Sequence, residues 1–150
     1  MQSSNTNTTN TTTTTTSPLL LSNAFALLPT VSLLLREECV EQSRAVLGYF
    51  RVCVNVLPPD ELTQASGVIL PAIFEELGAL KPKFTSRVRG ILRKLIKRYP
   101  STEALRSMIP EADQPLFEYI QRRGRRESRK KEQIRISAAD RLLGSDSEDR

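Results

Sequence analysis

Between Arg36 and Ile120 the apolar residues recur every three or four positions, and prolines stand where the recurrence stops. No other feature limits the fold as tightly, because that period matches an α-helix whereas a half-buried strand would alternate. From Phe84 to Tyr99 the row is Phe84, Val88, Ile91, Leu92, Leu95, Ile96 and Tyr99. From Arg36 to Leu57 it is Cys39, Val46, Leu47, Phe50, Cys53, Val54 and Leu57, which predicts one long helix. A second helix is expected after Pro58 and Pro59, with Asp60 in its first turn, where an acid suits the helix dipole. Its apolar residues are Leu62, Val68, Ile69, Ile73, Leu77 and Leu80. Pro71 predicts a kink in it, and "KPK" at 81–83 a break. Pro100 stops the Phe84–Tyr99 helix, and Ser101 or Thr102 caps a short helix through Met108. Asp113 caps a last helix with Pro115 in its first turn, burying Leu116, Phe117 and Ile120.

No stretch alternates in the manner of a strand, and no Asn-Gly turn is present. The expected fold is all-α: antiparallel helix pairs in a HEAT/armadillo-like α-solenoid fragment over residues 19–120. One or two such hairpins leave apolar flanks uncovered, so neighbouring repeats, from a longer parent or a partner, are expected to complete it. Residues 1–18, mostly a Thr/Asn tract, have nothing apolar to bury and are expected to be disordered. Residues 121–150 read as a basic extension followed by an acidic disordered tail, with Gly124 weakening the helix so that the segment orders on binding.

Pro18 to Leu35 is uncharged and fairly apolar, which raises a membrane span or a secretory signal, with Asn7 and Asn10 then heading glycosylation sequons. Ser22, Asn23, Pro29, Thr30 and Ser32 interrupt the run and no basic residue precedes it, and both features argue against these readings. A buried helix of the repeat array, broken at Pro29, is expected instead.

Chemistry is bounded by what is missing. The chain has no histidine and two cysteines, so a His general base, a Ser-His-Asp arrangement and a Cys/His zinc site are excluded for the chain by itself. Cys39 and Cys53 fall fourteen residues apart on one predicted helix, about 21 Å at ~1.5 Å per residue, too far for a disulfide. Both are expected to be reduced thiols in a core. No catalytic, cofactor-binding or metal residue emerges, and no small-molecule substrate.

Charge is the informative feature. The chain carries 22 basic and 17 acidic residues, a net of +5, but unevenly. Residues 36–80 hold three basic and seven acidic groups, residues 81–99 eight basic and no acidic ones, and residues 122–135 eight basic against two acidic. Two basic blocks on an acidic body are the footprint of a polyanion binder, and a nuclear-import segment looks the same. The phosphate-binding candidates are Lys81, Lys83, Arg87, Arg89, Arg93, Lys94, Lys97 and Arg98 in the first block, and Arg122, Arg123, Arg125, Arg126, Arg129, Lys130 and Lys131 in the second. Such a row neutralises backbone charge without reading bases, whereas a solvated helix face normally mixes both signs. An acidic protein would fit the same face, and "RRGRRESRKK" reads equally as an import signal for transport factors or as an arginine-rich RNA-binding extension. Ser145 and Ser147 stand in an acidic context that suits phosphorylation, or simply a solubilising tail.

Three blocks carry a more specific likeness: "SRAVLGYFRVCVNVLP" (Ser43–Pro58), "KFTSRVRGILRKLIKRYP" (Lys83–Pro100) and "IPEADQPLFEYIQRRGRRESRKK" (Ile109–Lys131). Their order and spacing resemble the C-terminal region of the ribosomal RNA processing protein 12-like family, large HEAT/armadillo-type factors of small-subunit ribosome assembly. The resemblance implies a nuclear and nucleolar, non-catalytic scaffold that joins pre-rRNA and pre-ribosomal proteins and supports rRNA processing and subunit export. A helical-repeat adaptor with an import tail and no direct RNA contact is the alternative.

Overall fold

The computed structural model describes residues 18–144. The Thr/Asn tract with its sequons, and Ser145 and Ser147, lie outside the described residues. Among the described residues there is no strand, and these residues form an all-helical fold. Its α-helices are α1 (Pro18–Leu33), α2 (Val40–Val56), α3 (Pro59–Pro71), α4 (Thr85–Arg98), α5 (Thr102–Ser107) and α6 (Gln114–Leu143). Shorter 3-10 turns cover Leu34–Glu37, Gly78–Phe84 and Glu111–Asp113, and a π turn covers Ala72–Glu76.

Several boundaries follow directly from local chemistry. Pro59 occupies the first position of α3, where its missing N–H is no loss, and the Leu62 N–H donates to the Pro58 carbonyl at 2.8 Å. The Ser101 hydroxyl accepts from the Ala104 N–H at 3.3 Å and starts α5. Pro71 cannot donate to the ladder, and the helix loosens immediately after it: the Leu77 N–H donates to Ala72 five residues back, at 3.1 Å. Gly78 turns the chain at φ +50°, a left-handed conformation that glycine adopts without steric cost.

Other boundaries differ from expectation. The long helix begins at Val40, not Arg36, because Glu38 adopts a left-handed φ of 50° and reverses the chain after the 3-10 turn that buries Leu35. Cys39 therefore precedes the helix in extended backbone and is exposed, which corrects its assignment to the core. Cys53 is buried, and burial raises the pKa of its thiol. Pro29 does not break α1, which runs through it. That helix is also not buried: Leu28 and Ser32 face inward with Leu35 beyond, while Leu19, Leu20, Leu27, Leu33 and Leu34 are exposed. By length and composition Pro18–Glu37 is long and apolar enough to cross a membrane. Here one side of it is docked, with the Tyr49 hydroxyl donating to the Ala24 carbonyl and Arg36 paired with Glu76 at 2.7 Å. Burial pushes the Tyr49 pKa up to about 12.

The core gathers the expected stripes. Val46, Leu47, Phe50, Cys53 and Val54 of α2, Leu62, Ile69 and Leu70 of α3, and Val88, Ile91, Leu92 and Leu95 of α4 are all buried. Each large aliphatic or aromatic side chain removed from water in this way contributes about 1.5–3 kcal/mol. The most extensive helix packing is between next-but-one helices, α1 on α3, α2 on α4 and α4 on α6, and α1 also packs on α2. Leu47 and Arg51 lie against Ser86, Arg87 and Ile91, while Val54 and Leu57 meet Arg98, so α2 and α4 point the same way. Phe117 and Ile120 anchor α6. Gly124 does not interrupt α6, and from Arg129 to Gly144 every residue is exposed. That overhang is helical because Arg, Lys, Glu, Gln, Ala and Leu dominate it, all strong helix formers.

Candidate nucleic-acid interface

Position along α4 decides what each of its cations meets. Arg89, Arg93 and Lys97, spaced four apart, form the row beside α6: Arg89 lies over the Tyr119 ring at 5.7 Å, Arg93 reaches Glu127, and Lys97 shares a groove with Arg125 and Arg129. Arg87 and Arg98 border α2 instead. The Arg98 guanidinium donates to the carbonyls of Val54 and, at 2.7 Å, of Leu57. It thereby satisfies carbonyls that the C-terminus of α2 leaves without helical partners. That contact ties Arg98 to the end of α2.

Lys81 is likewise engaged. Its ammonium donates to both carboxylate oxygens of Asp113, at 2.6 and 2.7 Å, and stands 5.0 Å from the centre of the Phe74 ring. Asp113 has no side-chain hydrogen bond to the start of α6, so the expected cap is replaced by this ion pair. Lys83 and Lys94 are exposed away from the α4/α6 seam, and Lys130 and Lys131 are on the projecting part of α6.

The seam itself unites cations from two distant blocks. On one side a cavity of about 240 Å³ is lined by Arg89, Arg93, Tyr119 and Arg123, and beside it one of about 470 Å³ by Tyr119, Arg122, Arg123 and Arg126. On the other side Arg93, Lys97, Arg125 and Arg129 line a groove of about 430 Å³ floored by Ile96 and Ile120. Two carboxylates are set among these cations. Arg123 Nε donates to Glu127 Oε1 at 3.1 Å and Arg93 Nη2 to the same oxygen at 3.4 Å. Glu118 accepts from Arg106 at 2.8 Å and stands 3.6 Å from Arg122. The hydrogen bond from Arg123, with the charges of Arg93 and Lys97, holds the Glu127 pKa below the usual glutamate range. The Tyr119 hydroxyl and then Glu127 raise that of Arg123.

The arrangement presents guanidinium and ammonium groups to the cavities on either side of the seam. Among the described residues no three His, Cys, Asp or Glu side chains gather closely enough to hold a metal ion. Sequence reasoning missed Tyr119 and Glu127 as members of the site. Their spacing with Arg123, positions 119, 123 and 127, marks one face of a helix and was the signal available. Comparison of the chain with protein-family models, with curated proteins and with solved structures finds no match in any of the three.

Proposed function

We propose that this chain is a non-catalytic RNA-binding helical module, acting as a scaffold on pre-rRNA and pre-ribosomal particles in the nucleus and nucleolus. The observation that carries the reading is the seam between α4 and α6, where cations more than twenty residues apart in sequence form one continuous surface around Arg93. Rows of Arg and Lys that follow a groove suit a phosphate backbone, whose binding draws its energy largely from counterion release. The next-but-one packing of helices favours a HEAT-like stack, in which each layer leans on its neighbours. The three sequence blocks that resemble the ribosomal RNA processing protein 12-like family support the assignment to ribosome assembly.

One observation favours a second reading. Glu127 already occupies the guanidinium groups of Arg93 and Arg123, so an acidic segment of a partner protein would find the same donors. The two readings separate in a pull-down of the tagged chain from nuclear extract, with and without ribonuclease. The RNA scaffold predicts that ribosomal precursors are retained only while RNA is intact. Retention that survives ribonuclease assigns the surface to protein and refutes direct RNA contact.

A further inference from the structure

Tyr119 is out of place in a purely electrostatic site. Its neighbour Ile120 is 5% exposed and holds α6 to the body, whereas Tyr119 is 48% exposed and packs into no core. It stands instead among guanidinium groups: Arg89 covers it at 5.7 Å from the ring centre, and Arg123 follows one turn later on α6. The ring borders both cavities on this side of the seam, so it is reached from the open space that Arg122 and Arg126 also line.

We propose that Tyr119 is a stacking platform for an unpaired nucleobase, and that the groove therefore selects single-stranded over duplex RNA. This rests on the RNA reading above. A duplex keeps its base faces stacked inside the helix and offers a surface like this one only phosphates and hydroxyls. An unpaired strand offers π-faces at the same spacing as its phosphates, and an aromatic ring flanked by arginines meets both. Stacking of this kind tolerates any base, so preference for single strands comes without sequence specificity. Arg89 holds one side of the ring by a cation–π contact, which orders the platform before the base arrives. The occupied side also limits the platform to one base at a time.

The test uses the full chain with three probes: a labelled unpaired RNA of about 12 nucleotides, a duplex RNA of the same length, and heparin, a polyanion without bases. The wild type is expected to bind the unpaired RNA more tightly than the duplex. Tyr119→Leu should weaken binding of the unpaired RNA by roughly 5- to 150-fold and leave duplex and heparin affinities unchanged. Tyr119→Phe, which keeps the ring and loses the hydroxyl, should bind unpaired RNA like the wild type. The chain has no tryptophan, so Tyr119→Trp places a single reporter at the site. Its fluorescence should be quenched by unpaired RNA and not by heparin, a readout independent of whether the Leu variant folds. Equal quenching by heparin, or a Leu variant weakened equally toward all three probes, overturns the stacking platform while leaving RNA binding intact. A wild type that binds neither RNA overturns both.

Discussion

Neutralising the row that α4 presents to α6, by Arg89→Gln, Arg93→Gln and Lys97→Gln together, probes the proposed phosphate surface most directly. Eight cations line the cavities at the seam, and the carboxylates of Glu118 and Glu127 compensate two of them, leaving six. For single-stranded RNA each phosphate neutralised contributes roughly −0.7 to the slope of log K against log salt, so the wild type should show a slope of about −4 and the triple variant about −2. Between roughly 50 and 200 mM salt the wild type should lose about 300-fold in affinity and the variant about 20-fold. The apolar stripe of Val88, Ile91, Leu92 and Leu95 is untouched, and Gln is a good helix former, so the circular dichroism and melting temperature should stay close to wild type. Fluorescence anisotropy with two unrelated RNA sequences at several salt concentrations provides the slopes, and both sequences should lose the same factor because phosphate contacts carry no base information. Identical slopes and affinities for wild type and variant would refute the reasoning and assign the row to water or to a protein.

Leu95→Ala removes a fully buried side chain of α4 and should cost about 2–5 kcal/mol in urea unfolding. Gly67→Ala places a Cβ on α3 that meets nothing within 4 Å, and should stabilise the protein by about 0.5–1 kcal/mol in the same assay. A thiol reagent should modify Cys39 at once in the native protein and Cys53 only after unfolding, since one is exposed and the other lies in the core. Glu76 has its pKa lowered in the fold by the hydrogen bond from Arg36, so the stability it contributes is present above the ordinary glutamate range and lost as pH falls through the depressed value. The urea midpoints of wild type and Glu76→Gln should therefore differ at neutral pH and converge under acid conditions.

Helix type and most helix ends were decided by interactions within a few residues, and these were legible without coordinates. The start of α3 at the Pro58–Pro59 pair, the Ser101 cap and the three- and four-residue spacing of Val88, Leu92 and Leu95 depend on nothing distant. The clustering of cations in two blocks was legible for the same reason. Which of those cations face outward was not, because burial and pairing are settled between segments. Lys81 meets Asp113 thirty-two residues away, and Arg98 meets the end of α2 forty-one residues away. Neither distance leaves a periodic trace. The adjacency of α4 and α6, which creates the grooves and brings Tyr119 and Glu127 among the arginines, likewise follows from how Ile120 and Phe117 dock on the body. Misjudgement of Cys39 and of α1 has one common cause. Apolar character predicts that a side chain gains by burial, but only the tertiary packing supplies a surface to bury it against, and Glu38 turns the chain before Cys39 can reach one.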